Sequence, residues 1–178
     1  MSGTDNIRET LNEMMGAEDV RLLASQVPTQ ELLALITDEE ERVARHAAWV
    51  LTHKPINEIR KLPQERLIGI ALDTTSSSQR RLMLNLIEQQ KIKKEDIRTD
   101  FLDFCLQHMM MLEEPPGVQS LCLKLAYQMC HYYPELEREF EESLKLMPAE
   151  QYKAGVRHLI KKLKAGNAST NNNDNNHI

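Results

Sequence analysis

The sequence is poor in the residues on which several classes of protein depend. Only 6 of its 178 residues are glycine, aromatic residues make up 4%, and no glycine-rich phosphate-binding loop occurs. The motifs Gly-x-Ser-x-Gly and His-Glu-x-x-His are also missing, which argues against the serine hydrolases and zinc proteases that carry them. No segment alternates apolar and polar residues as half-buried strands do. We therefore predict an all-α protein that is not an enzyme and holds no cofactor.

Long apolar runs are absent as well. Nothing approaches the roughly 20 consecutive apolar residues that cross a bilayer, so we predict no membrane association. The first residues are polar and acidic and lack the apolar region of a secretion signal. We expect a cytoplasmic protein.

Cysteine is scarce and odd in number. Cys105, Cys122 and Cys130 lie within helical patterns, which argues against a disulfide framework and favours small buried apolar side chains. The alternative is a zinc site that combines Cys105 and His108 with Cys122, Cys130 and His131. Structural zinc sites usually carry paired ligands in Cys-x-x-Cys spacing, and no such pair exists here. We predict no metal site.

What the chain does contain is a recurrence of amphipathic segments. Matching positions are Val43, Ala47, Ala48 and Leu51; Gln79, Met83, Leu84 and Ile87; Val118, Cys122, Leu123 and Ala126; and, more loosely, Tyr152, Val156, Arg157 and Ile160. The first members of these sets are 36, 39 and 34 residues apart. Periods in this range are typical of stacked helical hairpins, in which no hairpin buries its apolar face alone.

Capping residues and prolines recur with the same period. Thr37 with Glu40, and Ser76 with Gln79, have the spacing of a capping box and predict the starts of two helices. Prolines fall between the helical patterns, where they would otherwise break a helix. The predicted first helices of the hairpins span 28–36, 63–73, 96–113 and 134–146, and the second helices span 38–53, 77–90, 116–131 and 148–164.

One segment carries a family resemblance. Residues 43–51, with the sequence Val-Ala-Arg-His-Ala-Ala-Trp-Val-Leu, follow the acidic run 38–41 and resemble the second helix of a HEAT repeat. The Trp, Gly, Tyr and Pro pattern of tetratricopeptide repeats is absent. The resemblance implies a right-handed α-α superhelix, a HEAT-like or armadillo-like solenoid of about four hairpins. The predicted domains are an N-terminal helical cap (1–27), the repeat domain (28–165) and a disordered Asn-rich tail (166–178).

Charge divides unevenly between the two sets of helices. Segments 38–54, 77–94, 116–131 and 148–164 carry 14 Lys and Arg against 6 Asp and Glu, whereas segments 28–36, 55–73, 95–114 and 134–147 carry 6 against 15. In a solenoid of this type the second helices line the concave surface, which would therefore be basic. The predicted surface residues are Arg42, Arg45, His46, Trp49, Arg80, Arg81, Lys124, Lys153 and Arg157. Such a surface favours an acidic or phosphorylated protein segment or a nucleic-acid backbone, unless the charges serve solubility alone.

Two features leave alternatives open. Trp49, beside Arg45 and His46, either stacks on an aromatic group or a base of a partner or packs in the core. The run 109–111 of three methionines either forms an adaptable peptide groove or belongs mainly to the core with at least one side chain exposed.

We predict a non-enzymatic scaffold that binds a protein partner on its basic concave surface. HEAT-like DNA alkylation-repair glycosylases use a basic, aromatic concave face, so the resemblance also implies nucleic-acid binding or repair as an alternative. A third hypothesis is a structural subunit that assembles with copies of itself. The sequence leaves the partner and the oligomeric state open.

Overall fold

A computed structural model describes the backbone of residues 3–171 and the side chains of residues 5–166. These residues form eleven α-helices and two 3₁₀ turns (Lys94–Asp96 and Ala149–Gln151), and they contain no strand. The helices are α1 (Gly3–Asn12), α2 (Ala17–Gln26), α3 (Thr29–Leu35), α4 (Glu41–Leu51), α5 (Ile56–Ile59), α6 (Gln64–Asp73), α7 (Ser77–Gln90), α8 (Thr99–His108), α9 (Pro116–Cys130), α10 (Pro134–Leu146) and α11 (Ala154–Asn171). The prediction of an all-α chain is confirmed over this part of the sequence.

The chain divides into two compact units, with the boundary between Lys91 and Ile92. The first unit contains the predicted hairpins α3–α4 and α6–α7, and the second contains α8–α9 and α10–α11. All four hairpins therefore pair the helices that the recurrence pairs.

Helix α4 is the centre of the first unit, where it packs against α1, α2, α3 and α7. Its alanines Ala44, Ala47 and Ala48 are buried, and small side chains let neighbouring helices approach closely. Helix α7 in turn packs against α5 and α6. The two second helices of this unit are therefore held in place from several sides.

The two predicted capping boxes differ in outcome. Ser76 is the N-cap of α7 and its hydroxyl accepts a hydrogen bond from the Gln79 amide at 3.4 Å, although the Gln79 side chain donates to the Ile36 carbonyl instead of returning to Ser76. The box at Thr37 is wrong, because α4 begins at Glu41. There the Asp38 carboxylate accepts from the Glu40 amide at 2.9 Å.

In the second unit the central helix is α9, which packs against α8, α10 and α11. Helix α8 ends at His108, earlier than predicted. The Gln119 side chain, which is buried, donates to the carbonyl groups of Met109 and Met111, both at 3.1 Å, and so holds the chain after α8 in a turn. Met109 is buried and Met110 is exposed, as the core interpretation of the methionine run expects.

The last helix differs from its predicted bounds at both ends. A 3₁₀ turn at Ala149–Gln151 precedes α11, which starts at Ala154 and continues to Asn171. Helix α11 therefore extends past residue 166, where the predicted tail begins, and the disorder of the tail stays a prediction. Residues 172–178 of the tail lie outside the described residues.

The core of both units is built mainly from Leu, Ile, Val, Met and Ala side chains, with Phe101 and Phe140 among the largest that are fully buried. Cys105, Cys122 and Cys130 are free thiols and are buried. This confirms the prediction that they act as small apolar side chains.

Candidate partner-binding faces

Helices α4 and α7 lie side by side in the same direction. The Ser76 hydroxyl, at the start of α7, donates to the Glu41 carboxylate at the start of α4, with an oxygen–oxygen distance of 3.1 Å. The Gln79 side chain donates to the Ile36 carbonyl just before α4, at 3.0 Å. Because the helix starts coincide, residues 36 positions apart occupy equivalent sites on the two helices.

The sides of these helices that the core does not cover form one candidate surface, here named the α4–α7 face. Its members on α4 and the turn after it are Arg45, Trp49 and His53, and their equivalents on α7 are Arg81, Asn85 and Gln89. All six side chains are exposed or half-buried. The face thus combines two cations with aromatic and amide groups.

Trp49 is half-buried and lies in the middle of this face. Its ring centroid is 6.2 Å from that of His46 and 6.5 Å from that of His53, the latter in an edge-on arrangement. The His53 ring also bonds to the Trp49 carbonyl at 3.1 Å. Trp49 therefore belongs partly to the packing and keeps one part of its ring available to a partner, an outcome between the two sequence interpretations.

His46 does not lie on the surface, and its placement there is corrected. Only 8% of the residue is exposed, and its Nδ1 bonds to the Leu11 carbonyl at 2.7 Å. Arg42 is exposed, but its guanidinium donates to the Asn12 carbonyl at 3.1 Å. Both side chains satisfy carbonyl groups at the C-terminal end of α1, which no intrahelical amide can reach.

The two consecutive arginines of α7 have different environments. Arg80 is half-buried and donates to the carbonyl groups of Ala71 and Thr74, so its guanidinium satisfies backbone carbonyl groups at the C-terminal end of α6. Arg81 is exposed and forms no hydrogen bond or ion pair with the described residues. Of the pair, Arg81 is the one available to a partner.

The remaining predicted residues belong to the second unit. Lys124 on α9 and Lys153 before α11 are exposed. Arg157 is half-buried, with its Nη2 at 3.5 Å from the Tyr152 carbonyl, and its Nε is buried without a hydrogen-bond partner among the described residues. Lys161 and Lys162 on α11 are also exposed. Lys161 lies 4.0 Å from the Glu150 carboxylate.

Sequence reasoning missed His53, Asn85 and Gln89 because it selected charged residues. A signal for them existed: the 36-residue offset that aligns Val43 with Gln79 also aligns Trp49 with Asn85 and His53 with Gln89. The Gln89 side chain donates to the Asn85 side chain at 2.7 Å, which fixes the orientation of both amides on the face.

Two of the buried cysteines have raised thiol pKa values. Burial raises the pKa of the Cys105 thiol well above its usual range, with the neighbouring Cys122 adding to the effect. Burial, together with Glu139 and Glu137, raises the pKa of Cys130 to about 11. Thiols in this condition stay protonated at neutral pH, whereas the thiolate is the metal ligand and the nucleophile. Within the part of the chain that the structure describes, no group of three or more His, Cys, Asp and Glu side chains has the geometry of a metal site.

The hairpins agree with a comparison to known families. The model of the HEAT repeat domain matches residues 7–166, which is most of the chain and spans both units. The chain belongs to the HEAT repeat domain family. The predicted HEAT-like fold class is thereby confirmed, and a role in protein interaction, rather than catalysis, is the kind that such repeats typically have. No curated protein and no solved structure matches the chain.

Among the described residues, no helix combines the length and the apolar character that a bilayer crossing requires.

Proposed function

We propose that this HEAT repeat protein is a non-enzymatic scaffold that binds an acidic or phosphorylated segment of a protein partner on the α4–α7 face. The observation that carries the proposal is the position of half-exposed Trp49 beside Arg45, one helix away from exposed Arg81. Trp and Arg are the side chains that most often dominate binding energy at protein interfaces.

The charges of this face suit an anionic partner. Arg45 contacts Glu41 at 3.8 Å, and both side chains are substantially exposed, at 36% and 69%. A solvent-exposed pair of this kind contributes little to stability, so a carboxylate or phosphate of a partner can take the place of Glu41. Arg81 has no competing hydrogen bond or ion pair with the described residues.

Three of the histidines have partners within the fold. His46 bonds to the Leu11 carbonyl, His108 to the Glu114 carboxylate and His131 to the Glu137 carboxylate. A general base must reach a proton of the substrate, whereas these three rings are engaged in joining helices and turns.

The single tryptophan makes the proposal directly testable, because its fluorescence reports only on the α4–α7 face. The probe is a 12-residue peptide of Asp and Glu with one central Phe, titrated into the full chain. We expect a saturable change of Trp49 emission. The variant Arg81→Glu should weaken binding by about tenfold, which corresponds to roughly 1.4 kcal/mol.

The matched control is Arg60→Glu, the same charge change at an exposed position after α5, which should leave the affinity unchanged. Equal losses for both variants would show that only net charge matters and would contradict the proposal. A single-stranded oligonucleotide that binds more tightly than the peptide at about 200 mM salt would favour the nucleic-acid alternative. A mass that rises with concentration in sedimentation, with no response to the peptide, would favour self-assembly.

A further inference from the structure

A groove of about 530 Å³ lies along α6 in the first unit. Its lining residues are Thr37, Arg66, Gly69, Ile70, Asp73 and Thr74. None of them belongs to the α4–α7 face, so the groove is a separate surface.

The groove is lined by a glycine that the packing of the fold does not require. Gly69 lies inside α6, and a Cβ atom built on it would meet no other atom within 4 Å. Glycine inside a helix is destabilising by roughly 1 kcal/mol relative to alanine. The structural consequence of having glycine here is that the floor stays open, which lets another backbone come close.

The two ends of the groove carry opposite charges. Arg66 and Asp73 are seven positions apart on α6, about 10 Å along the helix axis, and half-exposed Ile70 lies between them. Asp73 forms no hydrogen bond or ion pair with the described residues. Arg66 uses Nη2 to donate to the Thr37 hydroxyl at 3.2 Å, which holds its guanidinium at the rim.

We propose that this groove binds a short amphipathic helix of a second protein with the pattern Glu-x-x-x-Leu-x-x-Lys. Helix spacing at i, i+4 and i+7 matches the spacing of Arg66, Ile70 and Asp73 and places three side chains on one face. The partner's Glu lies opposite Arg66, its Leu lies over Ile70 and Gly69, and its Lys lies opposite Asp73. Close approach at Gly69 brings the helix axes to the short end of the usual 8 to 10 Å range.

The charges also assign the direction of the partner helix. A helix parallel to α6 carries the acidic residue nearer its N-terminus and the basic residue nearer its C-terminus, and this order agrees with its own macrodipole. An antiparallel helix would need the reverse order, which its macrodipole disfavours. The parallel orientation is therefore the one inferred.

The test is a titration of the ¹⁵N-labelled full chain, followed by amide chemical shifts. The probe is a 17-residue alanine-based peptide with Glu, Leu and Lys at i, i+4 and i+7, long enough to be helical in isolation. We expect saturable shifts of the Gly69 and Ile70 amides. A peptide of the same composition with Glu and Lys exchanged should bind about tenfold more weakly, because two attractive pairs become repulsive.

Gly69→Leu places an apolar side chain where a Cβ atom would meet open space, so it should abolish the shifts while raising Tm by about 2 °C through better helix propensity. A measured rise in Tm would show that the loss of binding does not come from unfolding. The matched control is Gly155→Leu on α11, another helical glycine with open space around it, which should leave binding unchanged.

Three outcomes would overturn the proposal: no saturable shift with the first peptide, equal affinity for the charge-exchanged peptide, or shifts that survive Gly69→Leu. Shifts that depend on protein concentration without peptide would instead assign the groove to a second copy of this chain. The Trp49 emission is measured with the acidic peptide on the same protein. If the helical peptide does not bind but the acidic peptide still changes the Trp49 emission, only the groove proposal is contradicted. If the helical peptide binds but the acidic peptide does not change the emission, only the proposed function is contradicted.

Discussion

Arg8 and Asp38 face each other through two parallel hydrogen bonds, from Nε to Oδ2 at 2.8 Å and from Nη2 to Oδ1 at 2.9 Å. Arg8 lies on α1, and Asp38 lies in the turn between α3 and α4, where it also accepts from the Glu40 amide. The hydrogen bond from Arg8 lowers the pKa of the Asp38 carboxyl, although partial burial opposes the shift. The pair thus ties the first helix to the turn that precedes α4.

Arg8→Met should make the stability of the first unit less dependent on pH in the acidic range. A carboxyl whose pKa is lowered by folding stabilises the folded state above its unfolded pKa of about 3.9 and loses this contribution as pH falls through the lower, folded value. We expect the variant to unfold at lower urea concentration than the native chain at pH 6, with the difference shrinking below about pH 4. Arg21→Met on α2, where the arginine is exposed, is the control. An unchanged difference at low pH would contradict the role of Asp38.

Ser76→Ala should cost about 1 kcal/mol of unfolding free energy, because it removes the side-chain cap of α7. Thr37→Ala should cost less than about 0.5 kcal/mol, as is usual for surface substitutions. Among the described residues, the Thr37 hydroxyl caps no helix and accepts a hydrogen bond only from exposed Arg66. Urea unfolding of both variants decides between the two sites. Equal costs would show that the sequence-based capping box at Thr37 forms in solution.

The contrast between these sites shows where sequence patterns suffice. Hairpin pairing depends on apolar offsets within each helix, so the 36-residue recurrence from Val43 to Gln79 was enough to find it. The hydrogen-bond partner of a polar side chain, by contrast, can lie far away in the sequence, and the apolar pattern of its own helix does not reveal that partner. His46 shares the helix face of Arg42 and Arg45 in the sequence, yet its partner is the carbonyl of Leu11, 35 positions away.

The same reason explains why the two consecutive arginines of α7 have different environments. Both Arg80 and Arg81 are basic residues of a second helix, and charge counting treats them alike. Only the position of the end of α6, with the carbonyl groups of Ala71 and Thr74 beside Arg80, separates a structural arginine from one available to a partner. The α4–α7 face was therefore predictable as a basic region and not as a set of residues.

His46→Leu should lower the unfolding free energy by about 1 to 3 kcal/mol, because the buried Leu11 carbonyl loses its partner. Hydrogen exchange should become faster in α1, which the His46 bond holds against α4. The affinity of the folded chain for the acidic peptide should stay within about twofold, since 0.4 kcal/mol is the corresponding difference. A large loss of affinity in a variant that remains folded would show that His46 contributes to the binding surface.

Lys91→Gly should stabilise the chain. Lys91 follows α7 with φ of 61° and ψ of 111°, and it is the one non-glycine residue with positive φ among the described residues. A side chain in such a conformation costs of order 1 kcal/mol or more, which glycine avoids. We expect a gain of about 0.5 to 1 kcal/mol in urea unfolding, smaller than the strain because glycine also adds entropy to the unfolded chain. Lys93→Gly, at φ of −81°, should lower the unfolding free energy. A gain at Lys93 as large as at Lys91 would contradict backbone strain as the cause.

The thiols should be unreactive in the folded chain. Cys105, Cys122 and Cys130 have at most 1% of their surface exposed, and burial raises the pKa of Cys130 to about 11. At pH 8 only about one Cys130 thiol in a thousand is then a thiolate, which is the form that attacks a disulfide reagent. We expect slow labelling that follows the global unfolding equilibrium, and rapid labelling of all three thiols in 6 M guanidinium. The variants Cys105→Ala, Cys122→Ala and Cys130→Ala, made singly, assign the remaining reactivity. Fast labelling of any one thiol in the native chain would show that its helix opens locally or that the thiol is exposed and ready for chemistry, and would reopen the metal alternative for the second unit.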